Sequence, residues 1–199
     1  LSGGALDLED ADYSFIGEKS GDSAGLSVAG AGDVDGDGLD DILIGAPYND
    51  DVDDKSGKAY LILASSLDPS GPTGLADADY SFLGEDTDHY AGSFMAGAGD
   101  VDGDGLDDIL IGAPHSSSGI GTGRAYLMLG RSLGASSTID LSEADYTFTG
   151  EERHDRAGIC VAGAGDVNDD GYDDFLIGAF GNDDGGNIAG KAYLFLGGF

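Results

Sequence analysis

Asp33-Val34-Asp35-Gly36-Asp37-Gly38-Leu39-Asp40-Asp41 stands between the small-residue run Ala29-Gly30-Ala31-Gly32 and the apolar run Ile42-Leu43-Ile44. The pattern returns as DVDGDGLDD from Asp100 and as DVNDDGYDD from Asp166, at intervals of 67 and 66 residues. Oxygen-bearing side chains at loop positions 1, 3, 5 and 9, with a free backbone carbonyl at position 7, supply the all-oxygen shell that a hard divalent cation such as Ca²⁺ takes. Without a cation those carboxylates would repel one another.

The rest of the chain repeats in step with these loops. ADYSFIGE from Ala11, ADYSFLGE from Ala78 and ADYTFTGE from Ala144 come first, followed by LSVAGAG, SFMAGAG or ICVAGAG and then the acidic loop. After it stand DILIGAP, DILIGAP and DFLIGAF, and GKAYLIL, GRAYLML and GKAYLFL close the units. Each unit therefore holds four runs of strand length bounded by Gly, Asp, Asn or Pro, and none of helical period. Apolar runs without alternation, such as Tyr60-Leu61-Ile62-Leu63, predict sheets covered on both faces. The small residues before each acidic loop suit the crowded inner edge where sheets converge. The predicted fold is all-β: a β-propeller of four-stranded antiparallel blades, three per chain, spanning approximately 1–66, 67–133 and 134–199 as one domain.

The units resemble the FG-GAP repeats of integrin alpha-subunit propellers and of many bacterial surface and secreted proteins. The matching parts are Gly25-x-Ser27-Val28-Ala29, the acidic loop and Asp41-Ile42-Leu43-Ile44-Gly45-Ala46-Pro47, with their later equivalents. The chain departs from the pattern at Ala24, Ala91 and Ala157, where the family has Phe, and at Phe180, where Pro47 and Pro114 stand in the other copies. The resemblance implies one Ca²⁺ in the hairpin between the first two strands of each blade, about three per chain. It also makes the ADYSFIG-type strand outermost and last in a blade. The N-terminal strand should then complete the last blade, with the ring closed by a homodimer to six blades, or the chain should be part of a longer propeller.

The residue chemistry places the ligands independently. The first site would take carboxylates from Asp33, Asp35, Asp37 and Asp41 and the carbonyl of Leu39, with Gly38 turning the chain beneath the ion. The second would be Asp100, Asp102, Asp104, Leu106 and Asp108, turned by Gly105. The third, Asp166, Asn168, Asp170, Tyr172 and Asp174, turned by Gly171, exchanges one carboxylate for a neutral amide and should bind more weakly. An EF-hand is set aside, because the place of its bidentate Glu holds Ile44, Ile111 and Ile177. Asp40, Asp107 and Asp173 at position 8 read as solvated surface acids.

Composition narrows the function. The 199 residues are 40% apolar, enough for a core, and a net charge of -31 repels nucleic acid and anionic membrane surfaces. No apolar run reaches the length of a membrane span. Neither a signal peptide nor an initiator Met precedes Leu1, so the expectation is a mature or excised segment. Lone Cys160 is assigned to core packing. Loops opposite the acidic hairpins, 17–24, 84–91 and 150–157 with 48–57, 115–123 and 181–190, vary between units, which is where recognition is expected. They carry Tyr48, His89, Tyr90, His115, Arg153, His154 and Arg156. The leading expectation is a non-enzymatic, calcium-binding module for extracellular or cell-surface adhesion or protein recognition, the Ca²⁺ being structural. A carbohydrate-binding lectin is the alternative, and an accessory domain of a secreted enzyme ranks below both. No His-metal cluster, nucleophile-base pair or phosphate loop argues for catalysis.

Overall fold

The computed structural model describes residues 7–69, 71, 73–115, 121–134 and 136–199. Fourteen strands are found among them. They are β1 (Phe15–Ile16), β2 (Ser27–Gly32), β3 (Asp41–Ala46), β4 (Lys58–Ile62), β5 (Thr73–Gly74), β6 (Tyr80–Leu83) and β7 (Phe94–Gly99). The second half adds β8 (Asp108–Ala113), β9 (Arg124–Met128), β10 (Thr138–Asp140), β11 (Tyr146–Thr149), β12 (Ala157–Gly165), β13 (Asp174–Ala179) and β14 (Lys191–Phe195). Short 3₁₀ turns join some of them, and no helix among the described residues is long and apolar enough to cross a membrane. Within the expected recognition loop 115–123, residues 116–120 lie outside the described residues.

Each acidic loop joins the first two strands of an antiparallel meander. β2, β3 and β4 pair in turn, as do β7, β8 and β9, and β12, β13 and β14. The fourth strand comes from the next unit along the chain. β6 lies antiparallel on β4 with Tyr60 opposite Ser81, and β11 lies on β9 with Tyr126 opposite Thr147. The ADYSF-type strand is therefore outermost, and it knits consecutive units together. Two short strands not foreseen in the sequence extend this edge in parallel, β5 on β1 and β10 on β6.

Cores form between sheets because alternate residues of β3 and β8 face opposite sides. Leu43, Leu61 and Phe82 of the first sheet pack against Met95, Ile109, Ile111 and Tyr126 of the second. Leu110 and Leu127, on the second sheet's other side, meet Val161, Phe175 and Ile177 of the third. At the inner edge β2 runs beside β7 and β7 beside β12. A Cβ on Gly97 would sit 2.8 Å from the Ala31 carbonyl oxygen, and one on Gly163 would sit 2.8 Å from that of Gly97. The small-residue run is thus required by backbone approaching backbone.

Within this chain β1 pairs with β5, and Phe15 packs with Ile44, Tyr60 and Ile62 on the first sheet's free side, so the expected completion of the last blade by an N-terminal strand is not made inside a single chain. That places the N-terminal strand at the opposite end of the stack from the third sheet, which has three strands among the described residues. Cys160 is exposed rather than in the core: its neighbour Val161 takes the buried side of β12, and Phe94, in the same place of the second sheet, is exposed as well.

His89 is also not where a recognition residue would be. It is fully buried, its Nε2 3.4 Å from the Tyr126 hydroxyl, and its Nδ1 has no partner. The equivalent Asp22 and Asp155 instead accept from the amides of Asn49 and Asn182, at 2.9 and 3.2 Å. Burial, and secondarily the Arg124 guanidinium, hold His89 below the ordinary imidazole range. An imidazole that folds neutral takes up its proton more readily when unfolded. It therefore weakens the fold as pH falls below about 6.5, by up to ~1.4 kcal/mol per pH unit until the folded value is reached. Urea unfolding of wild type and His89→Gln between pH 7.5 and 5 should show wild type losing stability relative to the variant; a constant difference would refute this.

Candidate metal centre

Each acidic hairpin begins one residue after a bulge, where the pairing register skips Ala31, Ala98 or Ala164 and redirects the chain. The first aspartate then organises the turn. Asp33 Oδ1 accepts from the N–H groups of Gly36 (2.8 Å) and Asp37 (3.0 Å), and its Oδ2 from Gly38 (2.9 Å). Asp100 does the same with Gly103 (2.7 Å), Asp104 (3.0 Å) and Gly105 (2.9 Å). In the third turn Asp166 accepts from Asp170 (3.0 Å) and Gly171 (2.8 Å), and these bonds hold its carboxyl below the usual carboxylate range. Positions 4 and 6 both need the left-handed backbone. Gly36 and Gly38 supply it in the first turn, whereas Asp169 occupies position 4 of the third with φ 60°.

The third and fifth positions complete the turn. Asp35 accepts from Asp37 N–H (3.0 Å), and Asp37 accepts from Leu39 N–H (2.8 Å), which fixes the residue whose carbonyl is the expected fifth ligand. Asp102, Asp104 and Leu106 repeat this at 3.1 and 2.9 Å. Asn168, Asp170 and Tyr172 follow at 3.2 and 3.0 Å, with the Asn168 amide also donating to Asp170 Oδ2 at 2.7 Å. Ligand oxygens of Asp33, Asp35 and Asp37 lie within 4.8 Å of one another, as do those of Asp100, Asp102 and Asp108. Among the described residues, Asp166, Asp170 and Asp174 are not drawn together in this way. Three converging carboxylates with no nitrogen or sulfur donor fit a hard divalent cation.

Position 9 has a structural duty too. Asp41 is buried and accepts from Val34 N–H (3.1 Å) and Ala64 N–H (2.8 Å), tying the turn to the end of the third strand. Asp108 repeats this with Val101 and Gly130, both at 2.9 Å, and Asp174 with Val167 (2.8 Å) and Gly197 (2.9 Å). Burial pushes Asp108 up to about 7 against the pull of those N–H donors, and it raises Asp41 likewise.

Two features were missed in the sequence. Asp107 and Asp173, read as solvated acids, accept the N–H of Asp33 (2.8 Å) and Asp100 (3.0 Å) in the preceding unit. Their own N–H groups return bonds to the Asp33 and Asp100 carbonyls, both 3.0 Å. Position 8 thus clamps one turn to the next. Arg131 lies against Asp102 and 4.0 Å from Asp104, a guanidinium within the second site only.

At the other end of the sheets Tyr48, Tyr90 and His115 come together. Tyr48 meets Tyr90 edge-on at 5.4 Å, and Tyr90 meets His115 at 4.9 Å. With Leu26, Pro47, Phe94, Pro114 and Ile159 they line a cleft of about 460 Å³. Arg156 covers the Phe180 ring at 5.3 Å, while Arg153 and His154 are exposed.

The architecture and turns define an all-β repeat protein with acid-lined hairpins at one end of its sheets. FG-GAP repeats are found in it at residues 24–62 and 91–128. It is homologous to integrin alpha-subunits over most of its length: 35% identical to human integrin alpha-IIb over 188 residues, 32% to Xenopus laevis integrin alpha-5 over 176, and 31% to Drosophila melanogaster integrin alpha-PS2 over 175. These matches cover 89%, 86% and 86% of this chain but 17%, 16% and 12% of the relatives, so the chain spans about a sixth of the length of the proteins it matches or less.

Because Arg131 supplies a competing charge, Arg131→Ala should raise the second turn's calcium affinity about two- to fivefold, the worth of an exposed ion pair. Calorimetric titration of a chain whose first and third turns are neutralised would read this directly; unchanged or weaker binding would contradict it.

Proposed function

We propose that this chain is a calcium-stabilised β-propeller module whose three repeated units, approximately 1–66, 67–133 and 134–199, build blades, and that it serves extracellular or cell-surface adhesion or protein recognition without catalysis. The observation that carries this reading is the repetition of one hydrogen-bonded acidic turn at the same end of three successive sheets. Each turn would hold one Ca²⁺, about three per chain: Asp33, Asp35, Asp37, Leu39 and Asp41; Asp100, Asp102, Asp104, Leu106 and Asp108; Asp166, Asn168, Asp170, Tyr172 and Asp174. The third should be weaker, because Asn168 removes a charge and its amide occupies Asp170.

A structural role for the ion follows from the clamps. Neutralising a turn lowers the repulsion around carboxylates whose other bonds hold the turn to its strand and to its neighbour. Dissociation constants typical of extracellular modules are matched to the millimolar calcium outside cells, and the homology to integrin alpha-subunits supports the same setting. Recognition is assigned to the end opposite the turns, around Tyr48, Tyr90 and His115. That aromatic cleft also favours the second reading, a lectin, since flat rings are natural platforms for sugar faces.

Thermal melting with excess Ca²⁺ and with chelator tests the first part. Saturation 100-fold above the dissociation constant should raise Tm by about 5–10 °C per occupied site; identical melting would overturn it. Binding to arrayed extracellular-matrix proteins and glycans tests the second. Tyr90→Ala should lose whatever binds while keeping the calcium-dependent melting, and binding unaffected by the change would place recognition elsewhere.

A further inference from the structure

Neighbouring acidic turns grip each other at the joint between their sheets, and the grip falls on residues of the expected cation shell. The Asp107 carboxylate accepts from the Asp33 N–H (2.8 Å), and the Asp107 N–H donates to the Asp33 carbonyl (3.0 Å). Asp33 is thereby held on both sides of its Cα, and its side chain is the one that folds the first turn. Asp107 itself stands between Leu106, whose carbonyl is an expected ligand of the second turn, and Asp108, whose carboxylate is another. The order along the chain is ligand, clamp, ligand. Packing follows the same line: a Cβ on Gly36 would stand 3.0 Å from a methyl carbon of Leu106, and one on Gly32 would collide with the Asp107 carboxylate.

The second joint repeats the device. Asp173 accepts from the Asp100 N–H and donates its own N–H to the Asp100 carbonyl, both at 3.0 Å, and it stands between Tyr172 and Asp174. The Tyr172 ring lies over the second turn, where a Cβ on Gly103 would come within 2.5 Å of it, and a Cβ on Gly99 would collide with Asp173. Both clamps are internal to the chain and need no partner.

Ordering a turn costs conformational entropy, and a cation seated in one turn must hold its positions 7 and 9 still. Holding Leu106 and Asp108 holds Asp107, which holds the first ligand of the neighbouring turn. An ion entering that neighbour then has less to order. Repulsion between the two bound ions acts the other way, so the sign of the coupling separates mechanical linkage from plain electrostatics.

We infer that the calcium sites of adjacent turns are positively coupled, each filled turn raising the affinity of its neighbour, and that Asp107 and Asp173 are the positioning residues that carry the coupling. The inference rests on the calcium reading above and adds a regulation to it: adjacent turns load together, over a narrower range of calcium concentration than independent sites would. Linkage makes the effect reciprocal, so the third turn, weakest by its own ligands, gains from the second and strengthens it in return.

Calorimetric calcium titration of a chain carrying Arg131→Ala, Asp166→Asn and Asp170→Asn tests this. Those changes silence the third turn and leave the first two with the same nine residues and no guanidinium, hence with closely matched intrinsic affinities. After statistical correction the second ion should bind about five- to tenfold more tightly than the first, with a Hill coefficient above one. Asp107→Ala should abolish that steepness. Asp107→Asn, which keeps an acceptor for the Asp33 N–H, should weaken binding through its lost charge yet stay steep. Hydrogen exchange gives a second readout: with Asp35→Asn and Asp37→Asn emptying the first turn, calcium in the second should still slow exchange at Gly36, Asp37 and Gly38, and should cease to do so after Asp107→Ala. A chain that binds no calcium overturns the calcium reading and the coupling together. Calcium bound without steepness, or steepness that survives Asp107→Ala, overturns the coupling alone. The asparagine variant keeps the test decisive should the alanine variant unfold, because steepness lost with the charge alone contradicts a hydrogen-bonded clamp.

Discussion

The first aspartate of each hairpin bears the constraint on which the structure turns. Its two carboxylate oxygens gather backbone N–H groups from the residues that follow and so fold the turn. Once it is placed, the other acids fall into three duties. Position 9 fastens the turn to the end of the third strand, position 8 fastens the second and third turns to the preceding unit, and beside the first aspartate converge positions 3 and 5 in the first turn and positions 3 and 9 in the second. Satisfying backbone donors accounts for much of the acid in these loops, yet it concentrates negative charge that hydrogen bonds alone do not cancel. A divalent cation at that point would relieve the repulsion and rigidify the turn together, which is why the binding and structural roles of these residues are one problem.

Stacking follows from the same economy of space. Backbone passes so close to backbone at the inner edge and at each joint that only glycine fits, and the apolar side chains then interlock between sheets. Closing the first two sheets with a strand from the next unit turns neighbours into one cooperative body, as nearest-neighbour contacts do in repeat proteins generally. The aromatic cleft of Tyr48, Tyr90 and His115 draws its lining from all three units at the end opposite the acids, so its geometry depends on that stacking.

Most of this was legible in the sequence, because a repeat written three times separates what every unit needs from what varies. Loop positions and the four strands emerged from the repetition itself, and the outer placement of the ADYSF strand was implied by the resemblance to FG-GAP repeats. What escaped were properties of the contacts between copies. Asp107 and Asp173 look like any surface acid, since their partners lie 74 and 73 residues away in the preceding unit. Arg131 occurs in one copy only, so comparison of repeats discards it. His89 stands in a polar stretch yet is buried, as its counterparts Asp22 and Asp155 are, whereas Cys160 sits in an apolar strand yet is exposed, as its counterpart Phe94 is. The short strands β5 and β10 carry too few residues for a period to register.

Calcium stoichiometry is the most direct measure of whether the acidic turns are cation sites. Equilibrium dialysis of the chelator-stripped chain against labelled Ca²⁺ at millimolar concentration should reach three ions per chain, with the third released first on dilution. A chain that retained none while keeping its β-sheet circular dichroism would show that the turns are held by their hydrogen bonds alone, and the calcium account would be wrong.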